Sequence, residues 1–285
     1  MVYHVQFPGL GLDLTINRVA LAIGGFNIYW YGVIIAAGML LAMLYAFRNA
    51  VDYGIDSDRL VDVVAIGTVM AIVCARIYYV AMAPFAYQSL WDMIDIRKGG
   101  IAIYGAVIGA FVFGGLAAKW RKVPLLPLFD LVSLGFLIGQ GIGRWGNFFN
   151  CEAFGGYTDS LLAMRIRRAL VNDNMLNADV LNHRIVENGV EYIQVHPTFF
   201  YESCWNLCLL LFMLWFRRYK KYDGQMLWIY LLGYGIGRFW IESLRTDQLI
   251  LFGTGLPVSQ ALSLVLILVA AGNLIWRGYQ HRQKT

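Results

Sequence analysis

Residues 126–145 read LPLFDLVSLGFLIGQGIGRW, and residues 146–152 continue GNFFNCE. A bilayer-spanning helix needs roughly 20 mainly apolar residues, and the first stretch supplies them. That reading decides the fold class, because other runs of the same kind flank it. The end of the run is unusual. Arg144, Asn147, Asn150 and Glu152 place a guanidinium, two carboxamides and a carboxylate where the span meets its exit loop. Such groups are costly in hydrocarbon, so they mark a functional hypothesis by default. Arginine, permanently charged and fork-shaped, suits phosphate oxygens.

Composition agrees with the membrane reading. The chain has 285 residues, 59% of them hydrophobic and 14% charged, and a mean hydropathy of +0.57. A soluble domain carries about 25% charge. The apolar segments follow one another closely, so residues 1–285 read as a single membrane-embedded domain. The net charge of +5 is no nucleic-acid signal, since the basic residues gather at helix ends. Cys74, Cys151, Cys204 and Cys208 show no Cys-x-x-Cys spacing, which favours neither a disulfide framework nor a zinc site. Met1 to Ile16 lack a basic leader region and a small-residue cleavage site, so no cleavable signal peptide is expected.

Seven stretches qualify as spans: Ile28–Phe47, Leu60–Met82, Gly99–Trp120, Leu126–Trp145, Thr198–Phe216, Met226–Leu244 and Val258–Trp276. The expected fold is an all-α integral membrane protein of seven helices. Asn147 to Pro197 is long and polar and reads as a small extramembrane lobe between spans four and five, with a possible strand at Val190–Val195. Orientation follows from basic residues in short loops. One side collects twelve: Arg48, Arg59, Lys119, Arg121, Lys122, Arg217, Arg218, Lys220, Lys221, Arg277, Arg282 and Lys284. The other collects four: Arg18, Arg97, Lys98 and Arg245. The N-terminus and lobe are therefore expected outside and the C-terminus in the cytoplasm.

With that orientation the costly residues converge on the outer half of the membrane. Tyr31, Arg76, Tyr104, Arg144, His196, Glu202, Tyr234, Arg238 and Glu242 come from six spans or their outer ends. Tyr234, Arg238 and Glu242 repeat every four residues and share one helix face. Arg144 and Asn147 share a face if the helix runs that far. Gly135, Gly139 and Gly143, Gly105 with Gly109, and Gly233 with Gly237 also repeat every four, a spacing that lets membrane helices approach closely. Plainer readings stand beside these. Arg76 is as well read as a structural ion-pair partner. Arg238 with Glu242 makes an ordinary helical pair, and Arg144 with Glu152 a loop anchor. Tyr29, Trp30 and Tyr31 fit an interfacial aromatic belt.

Function classes narrow accordingly. The chain has no His-Glu-x-x-His helix and no Gly-x-Ser-x-Gly elbow, so intramembrane hydrolases are unsupported. A transporter or flippase for an anionic lipid or solute is the serious alternative. It calls for a polar path to the cytoplasm, and the inner halves of these spans are mostly apolar. An enzyme acting on a phospholipid from the outer leaflet fits better.

The run from Gly143 to Gly155, GRWGNFFNCEAFG, resembles the signature of bacterial phosphatidylglycerol–prolipoprotein diacylglyceryl transferases. Companions occur in family order: Trp30-Tyr31-Gly32, Ala75-Arg76-Ile77, Gly99-Gly100-Ile101, His196-Pro197-Thr198 with Tyr201-Glu202, and Gly235-Ile236-Gly237-Arg238-Phe239 with Glu242 and Arg245. The resemblance implies a multi-pass protein of the bacterial plasma (inner) membrane with its active site facing the outer leaflet. It implies transfer of a diacylglyceryl group from phosphatidylglycerol to the lipobox cysteine of a prolipoprotein signal peptide, with glycerol phosphate released. It implies no metal and no soluble cofactor. By the family pattern Arg144 binds phosphatidylglycerol, and Tyr31, Tyr104, Asn147, Arg238 and Glu242 form the catalytic group. Arg76, Glu152, Gly155, His196, Glu202, Tyr234 and Arg245 join it as binding residues. One departure matters: Tyr104 stands where many members carry histidine, which weakens any mechanism that needs an imidazole base there.

Overall fold

The computed structural model describes residues 2–83, 85, 87, 89–96, 99–251 and 255–283. Arg97, Lys98 and Lys284, counted above for orientation, lie outside these residues. Among the described residues seven helices reach 18 residues or more: α1 (Trp30–Asn49), α2 (Ser57–Ala81), α4 (Ile103–Trp120), α5 (Leu125–Asn150), α7 (Thr198–Phe216), α8 (Gln225–Glu242) and α9 (Val258–Arg282). Two five-residue helices, α3 (Leu90–Ile94) and α6 (Ala178–Asn182), sit between them. Six of the long helices are long and apolar enough to cross a membrane. The seventh stretch, Met226–Leu244, falls on α8, whose 18 residues are diluted by Tyr230, Tyr234, Arg238 and Glu242.

The all-α expectation needs correction. Seven strands occur among the described residues: β1 (Val2–Phe7), β2 (Leu12–Asn17), β3 (Val19–Ile23), β4 (Phe26–Tyr29), β5 (Met164–Arg167), β6 (Ile185–Glu187) and β7 (Val190–Val195). Five form an antiparallel sheet in the order β2-β1-β5-β7-β6, and β3 pairs with β4. The strand anticipated at Val190–Val195 is there. The four N-terminal strands were not anticipated. In β1 the alternation is plain once seen. Tyr3 and Val5 are buried, while His4 and Gln6 both reach Asp13 on β2, at 3.0 and 3.1 Å. Burying alternate apolar residues on one face is what holds a half-solvated sheet in register.

The chain divides into two compact units, residues 1–44 with 133–285, and residues 45–132. In the second, α2 and α4 lie side by side. Asp56 caps α2 by accepting from the Arg59 backbone N–H at 3.0 Å. Gly105 and Gly109 make the close approach possible. A Cβ on Gly105 would sit 2.3 Å from the Cys74 carbonyl oxygen, and one on Gly109 would sit 2.6 Å from the Met70 carbonyl oxygen.

In the first unit the five-stranded sheet packs on the end of α5 and the start of α7. Tyr3, Val5, Ile166, Ile193 and Val195 share one core with Phe148, Phe154 and Phe199. α5 runs on past Trp145 to Asn150, so Asn147 is helical. The last four carbonyls of a helix lack partners within it, and here all four find one outside. The Glu152 N–H donates to Asn147 O at 3.1 Å and the Cys151 N–H to Phe148 O at 3.2 Å. The Tyr3 hydroxyl donates to Phe149 O, and Arg18 Nη2 donates to Asn150 O at 2.7 Å. The N-terminal strands thus fix the exit of α5.

Candidate active site

Three helices of the first unit bring four charges together. Arg144 lies near the end of α5, Glu202 in the second turn of α7, and Arg238 and Glu242 in the last turns of α8. Arg144 Nε is 2.6 Å from Glu202 Oε2, and Arg238 Nη1 donates to Glu202 Oε1 at 3.2 Å. Arg238 Nη2 is 2.6 Å from Glu242 Oε2, an ion pair without the alignment of a hydrogen bond. The side chains are 24, 8, 16 and 3% exposed for Arg144, Glu202, Arg238 and Glu242. Two cations and two anions balance, which is how buried charge is tolerated. The balance leaves an edge open. Among the described residues no partner engages either Nη of Arg144. That is the fork that grips phosphate.

Sequence reasoning had offered Arg144–Glu152 and Arg238–Glu242 as pairs. The second is present. In place of the first, Glu202 bridges both arginines, a role the sequence reading did not give it.

Close packing sets these helices. α5 and α7 meet where Trp145 Nε1 donates to Ser203 Oγ at 3.1 Å and Ser203 Oγ donates to Gly141 O at 2.9 Å. α7 and α8 meet at Gly233 and Gly237. Trp205 Nε1 donates to Gly233 O at 2.9 Å, and a Cβ on Gly237 would sit 2.2 Å from that nitrogen. On the other side of α5, Gly143 comes 3.3 Å, measured from its ideal Cβ, from Ile35 of α1. Gln140, Arg144, Glu202, Trp205, Asn206, Tyr234, Gly237, Arg238 and Ile241 line one cavity of about 10 Å³. That is room for one water-sized group.

The loop after α5 holds the next group. Glu152 accepts from Asn147 Nδ2 at 3.0 Å and Asn150 Nδ2 at 3.3 Å. Cys151 and Ala153, on either side of it, have φ of 53° and 54°. Left-handed backbone at non-glycine residues is strained, and such strain gathers at functional sites. Tyr31 lies against Gly146, where a Cβ would come within 2.9 Å of its ring. Gly155 is pinched between two strands of backbone. Its N–H donates to His196 O at 2.9 Å, and a Cβ would meet both His196 Cβ and Leu244 O at 2.8 Å. Arg245, bridged to Gly155, grips Asp247 with two nitrogens at 2.9 and 2.7 Å. His196 Nδ1 is 3.2 Å from the Tyr201 hydroxyl, and partial burial holds its pKa below the usual value. Cys151 is buried, which pushes its thiol pKa up and makes it a poor nucleophile.

Arg76 and Tyr104 belong to the second unit. All three Arg76 nitrogens are engaged by backbone carbonyls: Nε by Met93 at 2.8 Å, Nη1 by Gly99 at 2.9 Å and Gly100 at 2.6 Å, and Nη2 by Asp92 at 2.7 Å. Four carbonyls make Arg76 an organiser of the backbone between α2 and α4, with carbonyl partners in place of the ion-pair partner expected. Tyr104, at the start of α4, is exposed, with its ring 6.3 Å from that of Tyr78.

The prolipoprotein diacylglyceryl transferase family matches residues 18–276. A phosphatidylglycerol–prolipoprotein diacylglyceryl transferase of Lysinibacillus sphaericus is 40% identical over 267 residues, 93% of this chain and 94% of its own length. A protein of the same name from Oceanobacillus iheyensis is 39% identical over 264 residues, 92% of this chain and 88% of that one. Another, from Clostridium novyi, is 38% identical over 258 residues, 89% of this chain and 93% of its own.

Proposed function

Because this chain belongs to the prolipoprotein diacylglyceryl transferase family, we propose that its buried arginine pair holds the phosphate of phosphatidylglycerol during transfer. The chain is a membrane transferase that moves a diacylglyceryl group from phosphatidylglycerol to a prolipoprotein. The family match gives no support to a transporter or flippase.

The chemistry balances as follows. The precursor's cysteine sulfur attacks the glyceryl carbon that carries the phosphate. A C–S bond forms and the C–O bond to phosphate breaks. The products are a thioether-linked prolipoprotein, glycerol phosphate and one proton released to water. The acceptor is the lipobox cysteine at the end of the signal peptide. A free thiol has a pKa of about 8.5 and attacks as thiolate. Guanidinium charge lowers that pKa and stabilises the charge growing on the departing phosphate.

The observation that carries this reading is the Arg144–Glu202–Arg238–Glu242 network, with the Nη edge of Arg144 unpaired. Glu202 bridges the two cations, Glu242 balances the second, and one fork is left for the lipid. Asn147, Glu152 and Tyr31 form the wall beside it. Gly155, His196 and Arg245 tie the loop over it. Tyr104 orients substrate by its hydroxyl.

The chain crosses the plasma membrane of a bacterium seven times as one domain, with α8 as the sixth span. At 1.5 Å per residue, 18 residues reach about 27 Å, close to the hydrocarbon thickness. The excess of basic residues on one side supports an outside N-terminus, an outside lobe at residues 147–197 and a cytoplasmic C-terminus. The arginine pair then faces the outer leaflet, where an exported precursor presents its cysteine.

The test is incubation of the purified protein with phosphatidylglycerol and a lipobox peptide. Equimolar glycerol phosphate and a diacylglyceryl mass increase on the peptide cysteine are expected. Glycerol phosphate without the peptide adduct, or neither product, contradicts the reading.

A further inference from the structure

Each of the three charged helices carries a neutral polar residue one turn from its charge. Gln140 precedes Arg144 by four on α5, Tyr234 precedes Arg238 by four on α8, and Asn206 follows Glu202 by four on α7. α7 runs opposite to the other two, so all three steps lead the same way, from the arginines into the bundle. All three residues line the single narrow cavity that the arginines also line.

This second tier is short of partners. Asn206 is 95% buried (5% exposed), yet among the described residues its carboxamide makes no hydrogen bond. The Tyr234 hydroxyl also has none there. Gln140 Nε2 donates to the Tyr230 hydroxyl at 3.0 Å, and its Oε1 is buried without a partner. Turning that carboxamide over gives Tyr230 an acceptor and leaves Nε2 unpaired instead. In either orientation one amide atom of Gln140 stays unsatisfied. A buried polar atom without a partner costs free energy, and Gln140 Oε1 is one; beside it stand the unpaired carboxamide of Asn206 and the hydroxyl of the half-buried Tyr234, so the cavity suits a ligand that pairs with them.

Resting on the reading that the arginines hold a lipid phosphate, we infer that this tier is a subsite for one ester carbonyl oxygen of the diacyl lipid. In a diacyl phospholipid the ester carbonyls lie toward the chains, a separation comparable to one helical turn of about 5.4 Å from the phosphate. The cavity admits one oxygen-sized group, and a carbonyl oxygen is an acceptor only. Asn206 Nδ2, the Tyr234 hydroxyl and the turned Gln140 amide are donors. They lack the charge to hold a second phosphate but suit a neutral acceptor. Bound at both levels, the glycerol cannot rotate about its phosphate, and its reacting carbon is held at one position for the thiol.

The experiment compares two lipids with the same phosphoglycerol headgroup and chain length, one with ester-linked and one with ether-linked chains. The readout is kcat/KM for thioether formation on a lipobox peptide by the purified full-length protein. An ester also polarises the neighbouring carbon, so the deciding quantity is the change in the ester-to-ether ratio. Asn206→Leu and Tyr234→Phe should each lower the ester rate about five- to tenfold more than the ether rate, as for one lost hydrogen bond. Equal losses with both lipids in both variants, the mark of a purely structural role, would overturn the inference. So would equal use of both lipids by the unaltered protein. Failure of the unaltered protein to transfer from either lipid contradicts the diacylglyceryl reading itself, and the subsite with it.

Discussion

At the scale of single residues the account turns on Arg144. Its Nε is held by Glu202, and the proposal gives the two Nη nitrogens to the lipid phosphate as a fork. Lysine keeps the charge but loses the fork and the Nε contact. Arg144→Lys should fold and insert, and lose transition-state stabilisation on the order of 2–4 kcal/mol. A kcat/KM equal to that of the unaltered protein removes the headgroup role. Tyr104 carries a milder expectation. An ordinary tyrosine, with a pKa of about 10, offers little phenolate at neutral pH. Tyr104→Phe should therefore cost roughly tenfold, one hydrogen bond, and leave the alkaline limb of the pH–rate profile in place. Abolished turnover in Tyr104→Phe, restored by Tyr104→His, would make this position the base. His196 supplies the pH dependence of stability. Its folded pKa is lowered by burial from 6.5, so below about pH 6.5 the unfolded chain takes up a proton the folded one resists. Stability is full above that value and falls as pH drops. The thermal midpoint should drop more between pH 7.5 and 5.5 in the unaltered protein than in His196→Gln. Parallel drops would refute a contribution from this histidine.

At the scale of elements, glycines decide how near the helices come. Gly237→Ala puts a methyl group 2.2 Å from Trp205 Nε1. The indole must move, losing its bond to Gly233 O, and it lines the same cavity as Arg238. Overpacking of this kind costs about 1–3 kcal/mol. Lower thermal stability and lower activity together are expected in detergent, and activity at the unaltered level counts against close α7–α8 packing. Whereas a Cβ on Gly139 of the α5 repeat would meet nothing within 4 Å, the close approaches at Gly105 with Gly109 and Gly233 with Gly237 were legible as four-residue repeats. So was the extension of α5, which needed only its polar face to continue. The β3–β4 hairpin was legible too and was passed over. Ile23-Gly24-Gly25-Phe26 closes it, with both glycines at positive φ, and Gly-Gly is a known two-residue hairpin turn. Its strands are short and apolar, and the same residues serve equally well as a lead-in to α1.

At the scale of the whole molecule, the membrane class was legible because hydrocarbon demands long apolar helices. The site was legible in part, because charged residues are rare in such helices and their identity narrows the chemistry. The Glu202 bridge was not. Arg144, Glu202 and Arg238 are distant in sequence, and no periodicity within one helix tells which carboxylate on a neighbouring helix will face it. Asn206 and Gln140 escaped for a related reason: a neutral amide in a span raises no alarm until the register of three helices is compared. The central claim joins reaction and sidedness, and one measurement addresses both. Vesicles containing phosphatidylglycerol are prepared with the protein oriented so that a protease reaches the 147–197 lobe from outside. A membrane-impermeant lipobox peptide is then added outside. The account predicts a diacylglyceryl adduct on that peptide, with an equal amount of glycerol phosphate in the outer medium. An adduct that forms only after the vesicles are breached, or no adduct at all, would contradict it.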